Sequence, residues 1–422
     1  MNILLSAYSV NPYKGSENAV GWNWTTTLSK HFPDSTIYLV TKEFNAEDTR
    51  RGIEEFGLNN VKLIITDVPK ALNWFREKHS IFHHGYYILW QKYAYRWAKK
   101  SKIKFDIIHH VSMGNYRITG DMYKFKDAYT IFGPVGGGQT TAKSLRCYYE
   151  KQGLYESFRN AINHIFAILP SYKRQLRGFD KVYAVNDETK TAMEKASGRK
   201  CDKLCDIAIP DNLKNLSISH KQHDTVEIIY LGRLIELKGL MLLVDVTKRL
   251  TEITDSSFHI SLYGDDENCG YKNKLQNKID DYRLNDYMTI NEPVEYTEIS
   301  ELYANADIFA HPTFRDSSGA VFVEAMAHKL PIVALNQSIS RDLNENKCGL
   351  FANVDQSKEE IINSFASALK ALIEDYNLRI ELGNNGYEYA NKMLTMEHKF
   401  NLIYGESTLN ERLNCKPHSL HQ

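Results

Sequence analysis

At 422 residues the chain exceeds what one hydrophobic core commonly organises, so two domains of roughly 200 residues each are expected. Hydrophobic residues at 43% and charged residues at 25% exclude a fibrous or disordered chain. Lys plus Arg equals Asp plus Glu at 52 each, with a pI near 7.2, which removes any charge argument for nucleic acid and leaves electrostatic partners to local patches. The cysteines are scattered, with only Cys201 and Cys205 close together. That spacing lacks a second pair, so it suits neither a zinc site nor a disulfide framework and reads as reduced thiols in a cytosolic protein. The opening MNILLSAYSV is too short for a signal peptide and begins like a first strand, and no run reaches the ~18 apolar residues of a spanning helix.

In chain order, short β-branched or aromatic runs alternate with longer helical patterns, the mark of α/β units with parallel sheets. Ile3–Ala7, Thr36–Thr41, Val61–Thr66, Phe105–Val111, Tyr129–Phe132 and Lys181–Val185 read as the strands of one series, with a first helix over Ser16–His31. Val226–Leu231, Phe258–Tyr263, Met288–Asn291, Asp307–His311 and Ile332–Leu335 form a second series, and helical patterns near Lys358–Glu374 and Leu378–Met393 close it. The polar, turn-rich stretch between the series is a linker. The expected division is a first Rossmann-like domain over 1–210, a linker over 211–224, a second over 225–385, and a closing helix and tail over 386–422 that packs back on the first domain. No internal repeat or low-complexity tract is present.

Two doubly wound α/β domains bind ligands beyond the carboxyl ends of their strands, so functional residues belong just after strands. Gly15 and Ser16, His109 and His110, Gly133–Gly138, Arg233 and Asp316 all stand there. In YLGRLIELKG, Arg233 and Lys238 lie around a helix start whose N–H groups add positive potential. A forked guanidinium with an ammonium from a second direction suits a diphosphate, and the pair's place after a buried-looking strand favours that over solvated surface cations. In HPTFRDSSGAVFVEAMAHKLPIVA, Asp316 precedes a small polar loop and Glu324 lies inside the following helix, so both carboxylates can reach one pocket mouth. Ser317, Ser318 and Gly319 leave backbone N–H groups free at that helix start.

Other chemistries fail on spacing. GPVGGG at Gly133–Gly138 follows a strand but is not G-x-G-x-x-G, and no helix follows it at once; GRLIELKG lacks the spacing and the Ser or Thr of a phosphate-binding Walker loop. No Ser-His-Asp arrangement sits at a recognised elbow.

These segments together resemble the retaining, nucleotide-sugar-dependent glycosyltransferases of family 4, whose two-domain fold is called GT-B: two doubly wound Rossmann-like domains facing each other across a cleft. The likeness rests on GRLIELKG, SLYGD at Ser261–Asp265, ELYANADIFAHPT and the loop-helix with LPIVAL. In the first domain it rests on KGSENAVGWNW, FDIIHHVSMGNYR and IFGPVGGG, which look like a bacterial subgroup acting on polysaccharides. The resemblance implies that Arg233 and Lys238 bind the donor diphosphate and that Glu324 holds the ribose hydroxyls. It implies that Asp316, aspartate where the family usually has glutamate, contacts a donor-sugar hydroxyl, with Ser317, Ser318, Gly319 and Ala320 offering backbone N–H groups to the sugar. Gly15 and Ser16 match the loop that closes over the diphosphate. His109 matches a histidine that positions or polarises the sugar, with His110 the alternative register and a packed structural histidine the plainer reading. Lys329 stands where the family often has glycine. Implied too are front-face attack with retention and neither cofactor nor metal. Paired-carboxylate glycosidase chemistry at Asp316 and Glu324 is disfavoured, because Glu324 is accounted for as a ribose ligand.

Residues 72–104 interleave Arg76, Lys78, Lys92, Arg96, Lys99, Lys100, Lys102 and Lys104 with Trp74, Phe75, Phe82, Tyr86, Tyr87, Trp90, Tyr93, Tyr95 and Trp97, against the single acid Glu77. Such a face could rest on an anionic membrane that presents a lipid-linked glycan acceptor, or it could be core-packed helix with solvated lysines. Residues 143–177, with Lys143, Arg146, Lys151, Arg159, Lys173, Arg174 and Arg177 against Glu150 and Glu156, favour a membrane-facing first domain. The expectation is a metal-independent glycosyltransferase taking a nucleotide-sugar donor to a lipid-linked glycan in bacterial surface polysaccharide synthesis, cytoplasmic or peripheral on the inner membrane face. The alternatives are a catalytically weak homologue that binds sugar nucleotide or a partner enzyme, and a sugar-nucleotide epimerase of the same fold.

Overall fold

The computed structural model describes the chain apart from residues 16, 70–82, 112, 151, 219–221, 296–297, 318 and 406–422. Two all-parallel sheets organise it. The first contains β1 (Asn2–Ser6), β2 (Thr36–Thr41), β3 (Val61–Ile65), β4 (Ile107–His110), β5 (Tyr129–Val135), β6 (Lys181–Ala184) and β7 (Asp202–Lys203), in the order β3-β2-β1-β4-β5-β6-β7. The second contains β8 (Val226–Leu231), β9 (Phe258–Tyr263), β10 (Met288–Asn291), β11 (Ile308–His311), β12 (Ile332–Leu335) and β13 (Gly349–Ala352), in the order β10-β9-β8-β11-β12-β13. Both are doubly wound, with strand order reversing between β1 and β4 and between β8 and β11. Central strands such as β4, β5, β11 and β12 are buried along their whole length, which is why they read as unbroken apolar runs rather than alternating ones.

By its packing the chain forms two compact units, one of residues 1–138, 162–207 and 396–422, the other of 139–161 and 208–395. Residues 139–161, which the sequence places with the first domain, pack in the second unit: Leu145 and Tyr149 join its core, and the Tyr148 hydroxyl donates to Asp245 at 2.6 Å. The helix Met396–Tyr404 packs in the first unit, burying Phe400, Ile403 and Tyr404 with Ile3, Leu5 and Trp24. The helix Tyr376–Met393 lies in the second.

Two strands escape the sequence reading. β7 has two residues, too few for any periodic signal. β13 opens on Gly349, where a Cβ would meet the Ile332 carbonyl oxygen at 1.9 Å, so a residue that normally weakens a strand signal is required by the neighbouring backbone.

The described part of the basic-aromatic stretch, the helix His83–Lys100, is core-packed. Tyr86, Tyr87, Trp90, Ala94 and Ala98 are buried, while Lys92, Arg96, Lys99 and Lys100 are exposed. Trp74, Phe75, Arg76, Glu77, Lys78 and Phe82 lie outside the described residues.

Candidate active site

β8 and β11 are neighbours, pairing Ile228 with Ile308 and Ile229 with Phe309, and they flank the point where strand order reverses in the second sheet. Chains leaving their carboxyl ends therefore emerge side by side, the position at which open α/β sheets bind ligands. After β8, Gly232 turns the chain at φ 148°, and Arg233 follows, exposed, with a guanidinium nitrogen 3.2 Å from Glu267 Oε1. The short turn Glu236–Lys238 ends at Gly239, φ 73°, where a Cβ would lie 2.2 Å from the Pro312 carbonyl oxygen. Only glycine allows that approach, and the Phe314 amide fastens it by donating to the Leu237 carbonyl at 3.0 Å.

The consequence is an ion pair between Lys238 Nζ and Asp316 Oδ2 at 2.6 Å. Burial pushes the Asp316 carboxyl up, but the Lys238 charge, His311 and hydrogen bonds from Lys238 and the Gly319 amide together hold it below the usual carboxylate range. Gly319, φ 61°, is the turn residue that admits the helix Ala320–Ala327. Ser317 Oγ accepts from Gln139 Nε2 at 2.7 Å. Ser318 lies outside the described residues.

Several participants were not named by the sequence motifs. His311, the last residue of β11, is fully buried between Tyr230 and Phe322, its ring parallel to that of Tyr230 at 5.2 Å. Neither ring nitrogen has a hydrogen-bond partner; Nε2 stands 4.0 Å from Asp316 Oδ2. Burial and then the Lys238 charge push the imidazole down to about 3, so it is neutral at ordinary pH. Arg315 pairs with buried Glu156 at 2.9 Å, and Arg159, 3.6 Å from the other Glu156 oxygen, donates to the Gln139 carbonyl at 2.8 Å. Residues 139–161 thus grip the Asp316 loop at both neighbours of the aspartate. A histidine at a strand end is a readable signal; a grip from residues over 150 positions away in sequence is not.

Glu324 occupies its own recess, a cavity of about 250 Å³ lined also by Leu213, Ile299, Ser300, Tyr303 and His328. The Tyr303 hydroxyl donates to its carboxylate at 3.3 Å. His328 Nδ1–H donates to the Glu324 carbonyl at 2.7 Å, which leaves Nε2 to accept from Ser300 at 2.7 Å. Burial pushes the Glu324 carboxyl up to about 7 against that one opposing hydrogen bond.

In the first unit, Gly15 is exposed with open space where a Cβ would point, and Ser16 lies outside the described residues. His109 is fully buried. One ring nitrogen lies 2.7 Å from the Gly133 carbonyl and the other 2.6 Å from the Tyr404 hydroxyl, so Nε2 donates and Nδ1 accepts. No ring nitrogen is left for a sugar hydroxyl, and burial pushes the ring down to about 3. Both ring nitrogens of His109 are thus engaged within the first unit. His110 points to the opposite face of β4, engaging Tyr87 and Ser6 at 2.6 and 3.0 Å, and is equally buried. Lys329 takes φ 56°, the left-handed backbone that favours glycine, with its ammonium 5.0 Å from the Tyr387 ring centroid. The glycine common at this place answers to backbone geometry rather than chemistry.

Residues 212–389 match the family model "Glycosyl transferases group 1". The chain is 28% identical over 180 residues to a D-inositol 3-phosphate glycosyltransferase of Paenarthrobacter aurescens, covering 42% of each. It is 26% identical over 193 residues to the capsular polysaccharide biosynthesis glycosyltransferase CapM of Staphylococcus aureus, covering 41% of this chain and 44% of that one. The matched stretch thus spans less than half the length of these curated relatives. In three dimensions it is similar to Anabaena HepE, solved in complex with UDP, with a TM-score of 0.61 at 16% identity over 97% of this chain and all of the other. The two doubly wound sheets together with this likeness give the GT-B fold, and the segment 212–389 is similar to the group 1 glycosyltransferases whose model it matches.

Proposed function

We propose that the protein is a retaining glycosyltransferase that moves a sugar from a nucleotide-sugar donor to a lipid-carried glycan in bacterial surface polysaccharide synthesis. The observation that carries the reading is the 2.6 Å pairing of Lys238 with Asp316, because it brings the expected diphosphate motif and the expected sugar-binding loop to one point at the switch of the second sheet. CapM, with its capsular polysaccharide role, and UDP-bound HepE support the substrate class.

In this reading the bond from the sugar's anomeric carbon to the phosphate oxygen breaks, and negative charge gathers on the departing nucleoside diphosphate. Arg233 and Lys238 stabilise that charge as it develops, where fixed cations act most strongly. The acceptor hydroxyl bonds to the anomeric carbon from the face the phosphate leaves, and its proton passes to the leaving phosphate oxygen. Asp316 and the Gly319–Ala320 amides hold the donor sugar; Glu324 accepts hydrogen bonds from the ribose hydroxyls. No step requires a metal or a protein nucleophile. The setting that follows from a lipid-carried acceptor is the cytoplasmic face of the cell membrane.

Purified full-length chain incubated with a panel of UDP- and GDP-sugars and a membrane extract should release nucleoside diphosphate with one donor and label the extract with that sugar. Binding of donors without release from any of them would leave a sugar-nucleotide-binding homologue. Conversion of the donor sugar with no acceptor would make the protein an epimerase.

A further inference from the structure

The recess around Glu324 is walled by two elements of the second unit, the helix Ile299–Ala304 and the helix Ala320–Ala327 with the residue that closes it, His328. His328 is 1% exposed, and its ring stacks on that of Tyr303 at 5.2 Å, which fixes the plane of the imidazole. Nδ1 lies 2.7 Å from the Glu324 carbonyl, an oxygen that also accepts the His328 amide at 3.2 Å. A carbonyl has no proton to give, so Nδ1 carries the ring proton, and in the neutral imidazole Nε2 can only accept. The group it faces is the Ser300 hydroxyl, at 2.7 Å.

A hydroxyl has one proton, and that of Ser300 is committed to His328, so what the serine offers the recess is its oxygen lone pairs. Ser300 and Tyr303 stand three positions apart on one face of the same helix, and the Tyr303 hydroxyl lies 3.3 Å from Glu324 Oε2. The serine and the carboxylate therefore line the same recess. Once ionised, the carboxylate too is an acceptor only. Two acceptors in one recess, one neutral and one anionic, suit a ligand that brings two O–H donors on neighbouring atoms, which describes a vicinal diol.

We propose that Ser300, its proton held by His328, is a second acceptor beside Glu324 for the ribose of the donor nucleotide, so that two side chains read the 2′,3′-diol. Ser300 touches the ribose in this arrangement, while His328 is a positioning residue that acts through the serine. The inference rests on the nucleotide-sugar donor reading and adds to it the means by which ribose is told from deoxyribose.

The test is isothermal titration of the full-length chain at pH 8, above the titration of Glu324, with UDP and GDP and then with the 2′-deoxy and 3′-deoxy forms of whichever binds. The parent should bind the ribonucleotide about tenfold or more tighter than each deoxy form, because each lacks one O–H donor to a fixed acceptor. Ser300→Ala should bring one of those two ratios to within about twofold of unity and leave the other, which belongs to Glu324, in place. His328→Leu should shrink the same ratio, because the serine proton is then free to turn toward the ligand. His328→Gln, whose amide oxygen can accept from Ser300, should keep it. The ratios are read because a purely structural loss weakens ribo and deoxy ligands alike. A parent that binds the ribonucleotide with no ratio, or Ser300→Ala and His328→Leu variants that keep both ratios, overturns the proposal and leaves the donor reading intact. Should Ser300→Ala fold poorly, the His328 variants decide: equal ratios in the leucine and glutamine proteins overturn it. A folded parent that binds neither UDP nor GDP overturns the donor reading, and this inference with it.

Discussion

Lys238 and Asp316, 78 positions apart in sequence, meet at 2.6 Å because Gly239 lets the chain after β8 touch the backbone after β11. The ammonium holds the carboxylate charged in a partly buried place. Lys238→Ala should lower kcat/KM by about 10²–10³, the usual loss when one preorganised group facing developing charge is removed. Asp316→Ala should nearly abolish turnover, whereas Asp316→Glu, which keeps the charge one methylene further out, should retain or raise it. Steady-state kinetics on the three variants checks both halves, and an unaffected Asp316→Ala enzyme would take that residue out of the site.

Glu324 gives a pH signature. Its carboxyl is raised to about 7 by burial, so the folded state holds a proton that the unfolded state has released between about pH 4.5 and 7. Stability should therefore fall as pH climbs through that window and level off above it. Ribose hydroxyls need the ionised acceptor, so donor affinity should change oppositely, rising about tenfold from pH 6 to pH 8 as the ionised fraction grows from about a tenth to about nine tenths. Titration calorimetry at the two values measures it. Glu324→Gln should remove the step and make the protein more stable at pH 8.

What could be read from the sequence, and what could not, divides along physical lines. Apolar runs announced most of the strands, since strands buried on both faces need continuous hydrophobicity, and the motif residues Arg233, Lys238, Asp316 and Glu324 were visible because each follows or flanks such a run. His109 shows the limit: a histidine at the end of a strand looks the same in sequence whether its nitrogens face a ligand or, as here, Gly133 and Tyr404. Tyr404 lies 295 residues away, and no local pattern reports such a partner. The grip of Glu156 on Arg315 was hidden likewise, because Glu156 was counted among surface charges and is 2% exposed.

Glu156 is the one carboxylate between two guanidinium groups, Arg315 at 2.9 Å and Arg159 at 3.6 Å. Removing it would take away the carboxylate that Arg315 and Arg159 share beside the Asp316 loop. Glu156→Ala should cost about 3–5 kcal/mol of stability, the range for breaking a buried pair from one side. Because Arg315 directly precedes Asp316, the folded fraction should also show a raised donor KM. Urea unfolding measures the first effect and kinetics at low temperature the second; a loss below about 1 kcal/mol would show the pair to be solvated.

Lys329 supplies a prediction of a different kind. It ends the helix Ala320–Ala327 in left-handed backbone, φ 56°, a conformation that costs an L-residue about 1–2 kcal/mol and glycine almost nothing. Its carbonyl oxygen packs against Gly383 on the helix Tyr376–Met393, where a Cβ would lie 2.0 Å from it, so the two segments are in close contact. Against the relief stands the loss of the ammonium over Tyr387 and the greater freedom of glycine in the unfolded chain, each about 0.5–1 kcal/mol. Lys329→Gly should therefore stay within about 1 kcal/mol of the parent, a shift of a few degrees in Tm at most. Lys329→Ala keeps the strain and loses the ring contact, so it should be less stable than both the parent and the glycine variant. Turnover should be unchanged in each, since the side chain touches none of Lys238, Asp316 and Glu324. Calorimetric melting of the three proteins decides it: an alanine variant as stable as the glycine one would mean the backbone at 329 is not strained.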